Sequence, residues 1–320
     1  MHFLITGGAG FLGSHLTDAL VARGDEVTVL DDLSTGRARN LSPAAGLAFV
    51  EGSVLDRDLV ERLTARADCA VHLAAKVGVR LILDSPRETI ETNVEGTRHV
   101  LDACARHGKR VLLASSSEVY GLSEELPFRE DAPVLRGATS EPRWCYASSK
   151  ELGERLALAY ARESGLDVRI ARFFNVVGPR QRGRYGMVLP NFVRQALSGE
   201  PITVFGDGTQ TRSFLHVADW VRAVSSLLEV PAARGEVVNV GSPREVAIER
   251  VGRLVRERLA SSSPIVHMPY REVYGIRTPD LVRRVPDTAK LEALTGFRAE
   301  LSLEEAIDDL ARERGAVPSR

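Results

Sequence analysis

Lysine is scarce in this sequence: of its 42 basic residues only Lys76, Lys109, Lys150 and Lys290 are lysine, so each of the four is more informative than any one arginine. Cysteine is scarcer still. Cys69, Cys104 and Cys145 are odd in number and lack C-x-x-C spacing, which argues against a disulfide framework and suits free thiols in a reducing cytosol. None of the seven histidines falls in an H-E-x-x-H or similar pair, so no metal site is expected. No run of 18 apolar residues occurs, and residues 1–6 open a strand rather than a leader. A formal net charge of −1 gives no reason to expect nucleic acid or an anionic membrane as partner. Internal repeats and low-complexity linkers are missing too. These absences together predict a soluble, cytoplasmic protein.

What remains is a rhythm. HFLIT (2–6), EVTVL (26–30), LAFVE (47–51), CAVHLA (69–74), RVLLAS (110–115) and DVRIARF (167–173) read as strands. Between them, 11–23, 57–67, 88–107 and 147–164 carry apolar residues at helical spacing. Strand and helix in alternation predict an α/β fold with a doubly wound parallel sheet. Beyond residue 180 the rhythm loosens, through GPRQRGRYG and PITVFGDGTQTRSFLHV, and a smaller, partly interleaved C-terminal substrate domain is expected.

TGGAGFLGSHL (6–16) follows the first strand and opens the first helix. It satisfies G-x-x-G-x-x-G through Gly7, Gly10 and Gly13, and G-x-G-x-x-G through Gly8, Gly10 and Gly13. Glycines permit the tight turn and let backbone approach a pyrophosphate, which then rests on the positive end of the helix. A glycine triplet alone is a weak signal. Here Asp31 follows at the end of the second strand, where a carboxylate accepts both ribose hydroxyls and repels the 2′-phosphate of NADP. NAD is the expected cofactor.

Tyr146 and Lys150, in YASSK, are four apart and share one helix face. A free tyrosine has a pKa near 10, and bringing it down about three units needs roughly 4 kcal/mol of preferential phenolate stabilisation. The Lys150 ammonium and an oxidised nicotinamide ring are suited to supply this between them. Alone, Y-x-x-x-K is common on amphipathic helices; downstream of a nucleotide fingerprint it reads as a base and its tuning cation.

The ordered set TGGAGFLG, Asp31, HLAA (72–75), TNVEGT (92–97), SSSEVYG, YASSK, RFFNVVGPR (172–180), GDGTQTRSFLHVAD (206–219) and RRVPD (283–287) resembles the extended short-chain dehydrogenase/reductase family. The likeness is to its nucleotide-sugar epimerase, dehydratase and decarboxylase branch, over nearly the whole chain. It implies a Rossmann-type NAD-binding domain over 1–180, with 213–243 returning to it. Residues 181–212 and 244–320 would form the nucleotide-sugar domain. It implies cofactor contacts from Gly7, Gly10, Phe11, Leu12, Gly13, Asp31, Val54, Leu73, Ala74, Ala75, Tyr146 and Lys150. Ser116 would hydrogen-bond the sugar 4-hydroxyl, Tyr146 would remove its proton, and Lys150 would tune Tyr146 and hold the nicotinamide ribose. Asn93 would support the active site. Asn175, Arg212 and Arg284 would hold the UDP moiety or the sugar, with Val188 and Phe205 near the uracil pocket. Ser53 departs from the pattern, since many relatives carry an aspartate there that reaches the adenine. A homodimer is implied through a bundle of the helices 88–107 and 147–164.

Three reactions of this family begin alike, with oxidation at sugar C4. A 4,6-dehydratase then needs an acid for the departing 6-hydroxyl, and Ser117 stands where relatives resembling it carry an aspartate; a serine hydroxyl is a poor proton donor. A decarboxylase needs only enolate stabilisation and a proton for C5. Ser117-Glu118 before VYG is similar to UDP-glucuronate decarboxylases, as are PRWCYASSK (142–150) and GEPITVFGDGTQTRSF (199–214). The expected reaction is decarboxylation of UDP-glucuronate, giving UDP-xylose, a UDP-4-keto-pentose or both. Glu118 would position the C5–C6 end beside Ser117 and Arg284; the competing reading is that Glu118 caps a loop or pairs with an arginine. VGVR (77–80) is similar to a segment of glucuronate 4-epimerases. Arg80 would pair with a C6 carboxylate in either enzyme, which supports an acidic sugar without choosing its fate, or it is an ordinary helix-start cation facing solvent. An NDP-sugar 4-epimerase is therefore the alternative, with a non-catalytic NAD-binding sensor a distant third. His72 and His216 are expected to be satisfied structural histidines, and Arg180, Arg182 and Arg184 either order over a diphosphate or stay in a solvated loop.

Overall fold

The structure, a computed structural model, describes residues 1–183, 187–269, 272 and 281–316. The expected strands are present as β1 His2–Thr6, β2 Glu26–Asp31, β3 Leu47–Glu51, β4 Cys69–His72, β5 Arg110–Ser116 and β6 Val168–Phe173. The helices between them are α1 Phe11–Ala22, α2 Arg57–Arg66, α3 Val79–Asp84, α4 Pro86–His107 and α5 Trp144–Ser164. After β7 Val176–Val177 come α6 Val188–Ser198, β8 Ile202–Phe205, β9 Thr211–Ser213, β10 Leu215–His216 and α7 Val217–Glu229. The chain ends with β11 Val237–Val240, β12 Glu245–Ala247, α8 Ile248–Arg258, β13 Ile265–Met268, β14 Arg283–Arg284 and helices Ala289–Thr295 and Leu303–Glu313.

Seven parallel strands form one sheet in the order β11-β6-β5-β4-β1-β2-β3. Alternating residues feed its two faces, as strand geometry requires. Phe3, Ile5, Val27 and Val29 pack toward Leu16 of α1 and Trp220 and Leu227 of α7. Leu4, Leu30, Ala70 and Val111 pack toward Val100 and Leu101 of α4 and Ala157 of α5. The order reverses beside β1, which pairs with β2 on one side and β4 on the other. That reversal opens a crevice at the carboxyl ends of the strands, where ligands bind in such sheets.

A third core, with Phe192 and Val193 of α6, Val204 of β8, Val251 and Val255 of α8 and Leu310 of the last helix, lies under the small sheets. In one of them β14 runs parallel to β9 and sets Arg284 beside Arg212. Strand β11 returns from this side to the edge of the large sheet by pairing with β6. Helix α5 starts at Trp144, three residues earlier than the apolar spacing indicates, so Tyr146 sits in its first turn. Helix α3 was not expected; its six residues hold too little periodic pattern to read. No helix among the described residues is long and apolar enough to cross a membrane.

Candidate active site

A cleft of about 960 Å³ runs from the first turn of the large sheet to the small sheets. At one end the backbone rises from β1 into α1 through glycines that no other residue replaces. Gly7 has φ +73°, and a Cβ there would stand 2.7 Å from the Ala74 backbone nitrogen. A Cβ on Gly13 would meet the Gly7 carbonyl oxygen at 2.4 Å. Asp31 closes this end: Oδ2 accepts from the Ala9 N–H and Oδ1 from the Leu33 N–H, both at 2.9 Å. Burial raises its pKa, against which these backbone donors act. A Cβ on Gly36 would lie 2.7 Å from Asp31 Oδ1, so the carboxylate is closely walled. A glycine cradle with no room for side chains, followed by a fixed carboxylate, fits a dinucleotide without a 2′-phosphate. Phe11, Leu12, Val54, Leu73, Ala74 and Ala75 line the same end. Ser53 is turned to its own loop, its Oγ accepting from the Leu55 N–H at 3.2 Å.

The middle of the cleft is built by the end of β5 and the start of α5. Ser116 leaves β5 and caps the short turn Ser117–Tyr120, its Oγ accepting from the Glu118 N–H at 3.2 Å. The Ser116 hydroxyl lies beside the Tyr146 phenol and favours its ionised form. Burial pushes that phenol's pKa up, and the Glu118 charge adds to the rise; the Ser116 hydroxyl and Arg284 work against it. Lys150 is 5% exposed, and Nζ donates to the Ala114 carbonyl at 2.9 Å. Burial lowers its pKa to about 8, with the Glu154 charge opposing the fall. The Lys150 ammonium is aimed at a backbone carbonyl, and the charges of Glu118 and Arg284 act on Tyr146.

Glu118 and Arg284 form an ion pair, bringing together residues 166 apart in sequence. Both line the cleft, as do Ser117, Arg80, Asn175, Val188, Phe205 and Arg212. Pairing with an arginine was the competing reading for Glu118, and here the arginine is itself a cleft residue. Arg80 is exposed on α3, at the cleft wall.

Asn93 stands behind the cleft wall. It is 1% exposed and does not line the cleft; Oδ1 accepts from the Lys76 N–H at 2.9 Å and Nδ2 donates to Ser149 Oγ at 3.0 Å. Ser149 Oγ in turn donates to the Tyr146 carbonyl at 2.8 Å. Asn93 thus ties α4 to the loop after β4 and to the first turns of α5, and its effect on the site is indirect.

His72 is satisfied by Thr6 Oγ1 at 2.7 Å and Thr97 Oγ1 at 3.1 Å, and burial lowers its pKa to about 3. His216 accepts from the Ala218 N–H and faces Asp309. Arg180 pairs with Asp18 at 2.6 Å, and Arg182 donates to the Thr35 carbonyl at 3.4 Å; Arg184 lies outside the described residues. Among the described residues no cluster suited to a metal ion is present.

One functional group was missed. Glu154, one turn beyond Lys150 on the same face of α5, is 4% exposed and holds Arg172. The spacing Tyr146, Lys150, Glu154, each four apart, was the signal available.

Comparison with known proteins agrees with this geometry. Residues 3–241 match the NAD dependent epimerase/dehydratase family. The chain is similar to UDP-N-acetyl-alpha-D-glucosaminuronate decarboxylase of Bacillus cytotoxicus, 41% identical over 308 residues, covering 96% of this chain and 95% of that protein. It is 40% identical over 307 residues to UDP-glucuronic acid decarboxylase 1 of Danio rerio, covering 95% of this chain and 70% of that protein. Among solved structures, UDP-glucose 4-epimerase of Thermotoga maritima with UDP-glucose superposes with a TM-score of 0.89 at 30% identity, covering 98% of this chain and 99% of that one. A dTDP-glucose 4,6-dehydratase of Streptomyces venezuelae with NAD bound gives 0.87 at 31%, covering 98% and 97%. The chain belongs to the NAD-dependent epimerase/dehydratase family.

Proposed function

We propose that the protein decarboxylates UDP-glucuronate through a UDP-4-keto intermediate, releasing UDP-xylose, a UDP-4-keto-pentose or both. The observation that carries this reading is the Glu118–Arg284 pair, set in the cleft beside Ser116 and Tyr146. Glu118 is surplus to simple epimerisation, whereas Arg284 has a task at the diphosphate in either reaction.

NAD, held by the Gly7–Gly13 turn, Asp31 and Lys150, would supply the oxidation of sugar C4 and its later re-reduction. Tyr146 takes the 4-hydroxyl proton, with the Ser116 hydroxyl beside it. The buried phenol is a poor base until more positive charge arrives, which links its ionisation to ligand binding. Once C4 is a ketone, the C6 carboxylate is that of a β-keto acid. The C5–C6 bond breaks, carbon dioxide leaves, and the bonding pair remains as an enolate whose oxygen faces the Ser116 and Tyr146 donors. Glu118, held as a carboxylate by Arg284, orients the C5–C6 end and aids delivery of a proton from water to C5. Ser117, 2% exposed, offers no acid for loss of a 6-hydroxyl. Arg212 and Arg284, adjacent in β9 and β14, present two guanidinium groups toward the anionic substrate.

Two relatives support a uronic acid as substrate, and the Bacillus relative supports one with an N-acetyl group at C2. The fold shared with UDP-glucose 4-epimerase supports epimerisation as the second reading. Incubation with UDP-glucuronate, UDP-N-acetylglucosaminuronate and UDP-glucose under mass-resolved detection separates them. Loss of the mass of carbon dioxide supports decarboxylation, whereas an isomer of unchanged mass overturns it in favour of epimerisation. The expected homodimer through α4 and α5 belongs to the same proposal, supported by Ile90 and Leu152, which are exposed on those helices; sedimentation tests it.

A further inference from the structure

Arg136 lies in the loop that leads into α5 and does not line the cleft, yet its guanidinium is held on two sides. Nη1 donates to the Val119 carbonyl at 2.5 Å, and Nη2 to Glu151 Oε2 at 2.6 Å. Val119 follows Glu118 in its turn, and Glu151 follows Lys150 on α5. The backbone beside the arginine joins the same clasp. The Leu122 N–H donates to the Leu135 carbonyl at 3.0 Å. Gly121, at φ +61°, faces that carbonyl so closely that a Cβ would stand 1.6 Å from its oxygen. The clasp is kept although Arg136 Nε is buried without a hydrogen-bond partner, which by itself is unfavourable.

We propose that Arg136 is a positioning residue: it fixes the turn that carries Glu118 against the helix that carries Tyr146 and Lys150. The groups assigned to C4 oxidation are tied without it. Ser116 lies in the β5–β6 ladder opposite Phe173, and Lys150 Nζ bonds the Ala114 carbonyl. Glu118 lies beyond the last rung of that ladder. Its N–H donates to Ser116 Oγ and its carboxylate accepts from Arg284, while the peptide that follows it is held by Arg136. A planar guanidinium serves a carbonyl and a carboxylate at once in fixed directions. The Tyr120 phenol, donating to Asn239 Oδ1 at 2.7 Å, anchors the end of the turn in the core, so loss of Arg136 loosens the turn without unfolding it. The inference rests on the reading of Glu118 as the residue that serves C5.

Hydrogen exchange and single-turnover kinetics on the full chain test this together. The Gly121, Leu122 and Ser123 amides close the turn, bonding the Glu118, Leu135 and Tyr120 carbonyls. In Arg136→Gln they exchange about tenfold faster, while the amides of β5 keep their rates. Carbon dioxide release from UDP-glucuronate slows on the order of tenfold, and reduction of the nicotinamide stays within about twofold. In a Glu118→Gln background the same substitution slows release no further, because residues that act through one another are not additive. Unaltered exchange in Arg136→Gln overturns the proposal, as does an equal loss in both steps or a full further loss beside Glu118→Gln. Where Arg136→Gln does not fold, Glu151→Gln removes the anion that holds the guanidinium and is read in the same way. Exchange needs no turnover: an isomer of unchanged mass overturns the decarboxylase reading alone, and the amides still decide the clasp.

Discussion

Replacing Glu118 by glutamine keeps the shape of the side chain and removes its charge. Two consequences follow from the surroundings of Glu118, and they point in opposite directions. The Arg284 side chain, 7% exposed, loses its anion, and proton delivery to C5 loses the carboxylate that aids it. General acid–base catalysis contributes about 100- to 10,000-fold, so carbon dioxide release from UDP-glucuronate falls by that factor, or by about 2.7–5.5 kcal/mol of barrier. The Tyr146 phenol, in contrast, loses a neighbouring negative charge that hinders its ionisation. Its pKa falls, and the rising limb of the oxidation step moves to lower pH. A single-turnover experiment separates the two: absorbance of the reduced nicotinamide reports oxidation at C4, and mass-resolved products report carbon loss. The expected result is oxidation preserved and decarboxylation slowed. Arg284→Gln shifts the same rising limb to higher pH, because it removes the cation that assists the phenol. Carbon dioxide release at the original rate in Glu118→Gln refutes the assignment. Equal losses in both steps reduce Glu118 to a positioning role.

The remaining predictions concern the cofactor end and the core. Gly13→Ala forces a Cβ to within 2.4 Å of a backbone oxygen, and overpacking of about 1–3 kcal/mol lowers NAD affinity roughly 5- to 150-fold, read by calorimetry. Asp31→Asn removes the charge that repels a 2′-phosphate and turns an amide donor toward one of the Ala9 and Leu33 N–H groups. The preference for NAD over NADP then drops about tenfold or more in a competition assay; an unchanged preference refutes the role. His72 stays neutral when folded down to a pKa of about 3, well below its value in the unfolded chain. The unfolded state therefore takes up the extra proton, and stability is lost as pH falls from about 6.5 toward 3. The slope is about 1.4 kcal/mol per pH unit, and His72→Gln flattens it in denaturant titrations.

The strands of the large sheet were legible because each is a short, nearly continuous apolar run, as strands covered on both faces are. The exception is β11: VVNV is brief, and Asn239 interrupts it with an amide that donates to the Phe128 carbonyl. That partner is more than a hundred residues away, beyond any local pattern. The glycine turn, Asp31, Tyr146 and Lys150 were legible because their spacing is itself the chemistry. The partners of Asn93 were not legible, because a polar residue on an amphipathic helix looks the same whether it faces a ligand or a neighbouring helix. The engagement of Lys150 with the Ala114 carbonyl, and the pairing of Glu118 with Arg284, depend on how β5 and β14 approach, which no window of sequence contains.

The late return of β11 has a consequence for synthesis. Until Val237–Val240 emerges and pairs with β6, that strand presents an unpaired edge, its N–H and C=O groups open to any passing chain. The ribosome meanwhile has produced the whole run from α6 to α7, so the nascent protein carries a sticky edge through that interval. A fragment ending near residue 236 would keep it permanently, and would aggregate even though its glycine turn and catalytic helix were already made.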